Sequence, residues 1–167
     1  MSEPAAPPRL TPGRAGVLFL SCLLCLGTQG IGWLLTAAAV REWYPDIRKP
    51  SWTPPDWLFG PVWTVLFLLM AVSAWVFWGR ADGRTLRVGL GLFLGQLILN
   101  ALWSGLFFAL RSPGLAFAEI VVLWAAIAAT LVSFGRVSAL AAGLLVPYLL
   151  WVTYASALNG AIWVMNS

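Results

Sequence analysis

Polar positions divide the chain into five long apolar runs, at about residues 15–40, 57–78, 88–110, 114–134 and 139–165. A helix rises ~1.5 Å per residue, so about 20 residues cross a hydrocarbon core ~30 Å thick. Each run is long enough. The pattern predicts an all-α integral membrane protein, a bundle of five transmembrane helices, over residues 15–167. Deep inside the runs only Glu119 carries an acid or base of the Asp, Glu, Lys or Arg type.

The breaks are as informative as the runs. Residues 1–14 are rich in Pro and Ala, have no apolar period and read as a disordered tail. Arg9 and Arg14 resemble the charged start of a secretory signal, but the apolar run behind them is about twice the usual length, which predicts a retained span. Between Arg41 and Asp56 stands REWYPDIRKPSWTPPD, whose four prolines cannot continue a helix. It reads as an ordered loop lying over one end of the bundle. Gly79 to Arg87, then Arg111–Ser112–Pro113, then Gly135 and Arg136 supply the remaining turns. Five crossings put the termini on opposite sides. One side holds Arg9, Arg14, Arg80, Arg84, Arg87 and Arg136; the other holds Arg41, Arg48, Lys49 and Arg111. The positive-inside bias then sets the N-terminus in the cytoplasm.

Composition narrows the chemistry. Of 167 residues 60% are hydrophobic and 10% charged, far below the quarter charged residues of soluble domains. A soluble enzyme, a multidomain receptor and a disordered regulator are excluded. The net charge of +4 comes from residues scattered among loops, which is not a nucleic-acid footprint. The chain has no His, so imidazole ligands, haem axial His and His general bases are absent. Cys22 and Cys25 share a helix face in the first run, but two thiols do not complete a metal site. They read as packing residues.

Eleven tryptophans remain. Trp33, Trp43, Trp57, Trp75, Trp78 and Trp163 sit near run ends and fit an interfacial aromatic belt. Trp63, Trp103, Trp124 and Trp151 lie deeper. In the third run Gln96, Asn100, Trp103 and Phe107 form one helix face, at i, i+4, i+7 and i+11. Amides need partners that lipid lacks, so this face must point inward. The fifth run repeats the pattern with Tyr148, Trp151, Ala155 and Asn159, and the second with Phe59, Trp63, Phe67 and Met70. Such stripes describe either an apolar small-molecule cavity with sparse polar anchors or interhelical glue. Gly91 and Gly95, ~140° around the third helix from Gln96 at ~100° per residue, have the spacing of a close helix–helix contact and predict a dimer face. Glu119 is a functional candidate as an intramembrane carboxylate, or a side chain that snorkels toward water near Pro113. It has no second carboxylate in its span, which leaves paired acid–base catalysis unsupported.

The runs WYPDIRKPSWTPPDWLFGPVWTVLF, QLILNALWSGLFF and VPYLLWVTYASALN, in that order, resemble the tryptophan-rich sensory protein / peripheral benzodiazepine receptor family, the translocator proteins. The resemblance covers about Ala15 to Asn166. It implies a five-helix bundle, usually a homodimer, whose cavity under the first loop binds porphyrins such as protoporphyrin IX or haem and other hydrophobic ligands, with no required cofactor or metal. Trp52 matches the KPxW tryptophan, with Pro54 and Pro55 as its diproline, and Trp63 the second-span ligand-site tryptophan. Asn100 and Trp103 match the NxxW pair, and Trp151 the PYLxW tryptophan.

In bacterial relatives the Trp63 and Trp151 positions are implicated in light-dependent porphyrin breakdown, so the resemblance also admits an enzyme with these two as catalytic residues. A third possibility is a regulatory membrane partner without a porphyrin. Phe67 stands where many relatives have Tyr, and Ser51 where some have a second Trp. The mammalian cholesterol motif needs a basic residue near the C-terminus, and none follows Arg136. The expected site comprises Trp52, Trp63, Phe67, Gln96, Asn100, Trp103, Phe107, Tyr148, Trp151, Ala155 and Asn159. Arg48 or Lys49 would meet ligand propionates, and the expected compartment is a bacterial cell membrane.

Overall fold

The computed structural model describes residues 12–167. It contains α1 (Pro12–Glu42), α2 (Asp56–Trp78), α3 (Gly83–Ser104), α4 (Pro113–Gly135) and α5 (Ala139–Met165). All five are long and apolar enough to cross a membrane. The chain is a multi-pass membrane protein. Helix α1 begins at Pro12, so the last residues of the expected tail are helical; residues 1–11, Arg9 among them, lie outside the described part.

Local chemistry sets the boundaries. Proline occupies the first positions of α1 and α4, where its missing N–H is no loss. Asp56 follows Pro55 at the start of α2 and complements the positive end of the helix. The hydroxyl of Ser138 accepts from the Ala141 N–H at 3.3 Å and caps α5. Helix α3 does not stop at Ser104 but runs on through a π-helical turn, Gly105–Ala109. Its wider spacing appears in the bond from the Leu110 N–H to the Gly105 carbonyl, 2.8 Å. Arg111 then turns the chain with φ +50°, a left-handed conformation that costs a non-glycine residue about 1 kcal/mol.

The helices form a ring in the order α1, α2, α5, α4, α3, closed by contact between α3 and α1. The two ends of the ring differ. At one end lie the start of α1, the α2–α3 turn and the α4–α5 turn, joined by a 2.7 Å bond from Arg80 to the Ser138 hydroxyl. There Phe77 and Phe134 stack face to face, centroids 4.0 Å apart, with Phe93 beyond. The Ser73 hydroxyl donates to the Ala141 carbonyl at 2.6 Å. A side chain on Gly89 would collide with the Phe77 ring, so the glycine is what admits that ring. This end is closed.

The other end holds the Pro/Trp-rich loop, the α3–α4 turn and the end of α5. The loop is stapled in place. Lys49 donates its ammonium to the carbonyls of Tyr44, Pro45 and Ile47 and sits over the Tyr44 ring. The Asn166 amide exchanges two bonds with the Arg48 backbone, at 3.0 and 2.9 Å. The Tyr154 hydroxyl donates to the Trp52 carbonyl at 2.9 Å while the two rings meet edge to face. Tyr44 is buried against Phe107 and Phe108. Burial, the Asp56 carboxylate and the Tyr154 hydroxyl push its phenol up to about 12, so it stays neutral.

Candidate functional site: an aromatic cavity beneath the first loop

Under this loop the ring of helices encloses about 450 Å³, within the range of small-molecule sites. Of the residues expected from the sequence, Trp63, Phe67, Asn100, Trp103, Phe107, Trp151, Ala155 and Asn159 line it. The stripes of α2, α3 and α5 therefore converge on one space. Trp63 lies 5.6 Å from Phe67, Phe59 meets Trp151 edge-on at 5.9 Å, and Trp103 stacks on Phe107 at 5.3 Å. The widened turn of α3 matters here, because it lets Phe107 and the adjacent Phe108 both reach the cavity.

Hydrogen bonds fix the polar side chains of the wall. The Trp103 indole donates to Asn159 Oδ1 at 3.0 Å, and Asn159 Nδ2 donates to the Pro113 carbonyl at 2.8 Å. Asn159 thus ties α3, α5 and the start of α4 together, with both ends of its amide engaged. Asn100 Nδ2 donates to the Tyr148 hydroxyl at 3.1 Å, and its Oδ1 has no protein donor among the described residues. Neither Trp63 nor Trp151 gives its indole N–H to a described acceptor, so both donors stay free among the aromatic walls.

Three expected site residues stand elsewhere. Trp52 lies in the loop, about half exposed, and does not line the cavity. Tyr148 is fully buried behind the wall, edge-on to Trp63 at 6.1 Å, and supports the wall rather than forming it. Gln96 is 0% exposed, and neither end of its amide has a partner. It points inward as its period required, but one turn below the cavity floor. Glu119 is buried too, 8% exposed, with both carboxylate oxygens unpartnered; it does not snorkel clear. Met70 is buried in the core. Trp124, one of the deep tryptophans, faces outward and donates to Thr153 at 2.8 Å. Arg48 and Lys49 do not line the cavity either. The lysine is consumed by loop carbonyls, and Arg48 holds Asn166 through its backbone.

Helix α1 supplies a wall that the sequence reading missed. Gln29, Gly32, Thr36 and Arg41 line the cavity together with Asp56 of α2. The signal was present in the sequence: Thr28 or Gln29, Gly32 and Thr36 recur at helical spacing along an otherwise apolar run. Trp33 and Trp57 line the space while 64% and 72% exposed, so it opens sideways between α1 and α2. The Gln29 amide bonds to the Thr64 hydroxyl at 2.8 Å across that opening. Cys25 packs in the core with Cys22 against it. Gly91 and Gly95 lie on the outside of α3, with open space where a side chain would stand.

Residues 19–164 match the TspO/MBR family. The chain belongs to that family. Every residue lining the cavity, from Thr28 to Ile162, falls within the matched segment. Over 144 residues the chain is 44% identical to the tryptophan-rich protein TspO of Chlorobaculum tepidum, covering 86% of this chain and 91% of that protein. It is 42% identical over 127 residues to the translocator protein of Homo sapiens, covering 75% of each. Against the tryptophan-rich sensory protein of Cereibacter sphaeroides the identity is 36% over 145 residues, 85% of this chain and 87% of that one. The TspO/MBR resemblance carried by the three sequence motifs is thus shown along nearly the whole bundle.

Proposed function

We propose that this membrane protein binds porphyrins and similar flat hydrophobic molecules in the cavity beneath its first loop, as a sensor or carrier. The observation that supports the reading is the wall itself. Trp63, Trp103 and Trp151 stand on three different helices around one space, and a flat conjugated ring gains from stacking or edge contact with indoles. Asn100 Oδ1 and the free indole N–H groups suit a few polar contacts. The reading extends to a homodimer joined at the Gly91–Gly95 face of α3 and to a bacterial cell membrane with the N-terminus in the cytoplasm.

The test is a dark tryptophan-quenching titration of the detergent-purified protein with protoporphyrin IX, corrected for inner-filter absorption and run beside an unrelated membrane protein. Saturable quenching, weakened about tenfold in Trp151→Ala and less in Trp63→Phe, is expected from lost ring contacts. Linear quenching that matches the control would mean the porphyrin only partitions into micelles, and the reading would fail. Illumination of the same samples addresses the enzymatic alternative. Porphyrin loss that Trp63→Phe and Trp151→Phe abolish, with binding retained, would make those two residues catalytic. Cross-linking of the wild type against Gly91→Leu tests the dimer face.

A further inference from the structure

An apolar pocket has no use for the two ionisable side chains at its mouth. Arg41, on the last turn of α1, and Asp56, on the first turn of α2, both line the cavity. They are not paired with each other. Among the described residues, the ion pair at this end joins Arg111 to Glu42 at 3.6 Å, and Arg41 makes neither an ion pair nor a side-chain hydrogen bond. The other cations of the loop are differently placed: Lys49 is spent on backbone carbonyls, and Arg48 lies outside the lining. The mouth therefore has a basic wall on α1, an acidic wall on α2, and one guanidinium available to a ligand.

We propose that Arg41 is the anchor for a carboxylate on the ligand, so that the cavity selects flat apolar molecules bearing an acid at one edge and seats that edge at the α1 side of the mouth. This rests on the porphyrin reading of the cavity and deepens it. A guanidinium presents a planar fork of donors that matches a carboxylate. At the mouth both partners keep part of their hydration, which limits the gain but avoids the penalty of burying a charge. Asp56 on the facing wall repels a carboxylate and so sharpens the choice of side. The competing role for Arg41 is structural: a cation on the last turn of a helix interacts favourably with its negative end. That role would change stability and leave ligand discrimination alone.

Protoporphyrin IX and its dimethyl ester share one ring and differ in two negative charges, which makes them the probes. Both are titrated against wild type, Arg41→Gln, Arg41→Lys and Asp56→Asn, and each ester-to-acid ratio is compared between variants, so that unequal micelle partition cancels. Arg41→Gln is expected to weaken the diacid about three- to tenfold, the range of an exposed charge-assisted contact, with the diester unchanged. Arg41→Lys should recover part of the loss, Asp56→Asn should tighten the diacid, and added salt should shrink all these differences. If Arg41→Gln weakens both probes alike, or neither, while Trp151→Ala still weakens both, the cavity reading stands and the anchor is overturned. If neither probe binds saturably to wild type, the porphyrin reading falls and takes the anchor with it.

Discussion

The two ends of the bundle are built from the same kinds of residue and reach opposite outcomes. At the closed end aromatic rings are buried against small ones: Phe77 lies over Gly89 and stacks on Phe134, and Ala71, Ala74 and Ala141 are wholly or almost wholly covered. At the open end aromatic rings face one another across a gap. Trp63, Trp103, Phe107 and Trp151 line about 450 Å³ instead of filling it. The difference lies in how the rings meet. At the closed end Gly89 leaves room for the Phe77 ring to come in and stack flat on Phe134, whereas at the open end the rings of α2, α3 and α5 stand around a space that no described side chain fills. Two further devices keep the gap open, the widened turn of α3 and the amide of Asn159 fixed at both ends. Aromatic content alone therefore does not mark a binding site; its partners do.

If the ends are independent, Phe77→Ala should lower stability by about 3–5 kcal/mol through the void it leaves, yet leave the porphyrin dissociation constant of the folded protein unchanged. Thermal unfolding in detergent and a dark titration check the two halves of that statement, and a shift in affinity would show that the closed end sets the cavity. Trp103→Phe keeps a ring but removes the donor to Asn159, leaving a buried acceptor unpaired. A loss of about 1–3 kcal/mol is expected, together with weaker porphyrin binding, because the fixed wall would loosen. Tyr154→Phe should act more locally, removing about 0.5–1.5 kcal/mol from the stapling of Trp52. Hydrogen exchange should rise in residues 48–54 and not in α4. Smallest of all, Gln96→Leu should be neutral or slightly stabilising, since it replaces an unpartnered buried amide with an apolar group of similar size. A marked loss of affinity in that variant would instead bring Gln96 into contact with the ligand.

The periodicity of the chain carried most of this architecture. Run lengths, prolines at helix starts and the Pro-rich break predict the five helices and the covering loop, because hydropathy and proline geometry are local properties. The stripes of α2, α3 and α5 led to nine of the cavity residues, since amides at helical spacing in a membrane span have only one acceptable direction. Depth along the helix was harder to read. Gln96 and Asn100 share a face one turn apart, and only packing decides that Asn100 reaches the cavity and Gln96 does not. Helix α1 was passed over because its few polar positions, Thr28, Gln29 and Thr36, are interleaved with small and apolar residues and carry none of the paired amides and aromatics of the other stripes. Arg41 was hidden by two basic neighbours in the loop, and nothing in REWYPDIRKP says which cation the backbone carbonyls will consume.

The bonds between Asn166 and Arg48 join residues 118 positions apart. Membrane proteins are threaded into the bilayer from the N-terminus as they are made, at roughly 5–20 residues per second. The Lys49 bonds within the loop can form as soon as it is made, but the Asn166 latch, just past the end of α5, arrives roughly 6 to 24 seconds later at that rate. This latch on the ceiling of the cavity thus closes well after the loop it holds has been made. Until then, a chain still on the ribosome presents an unlatched cavity.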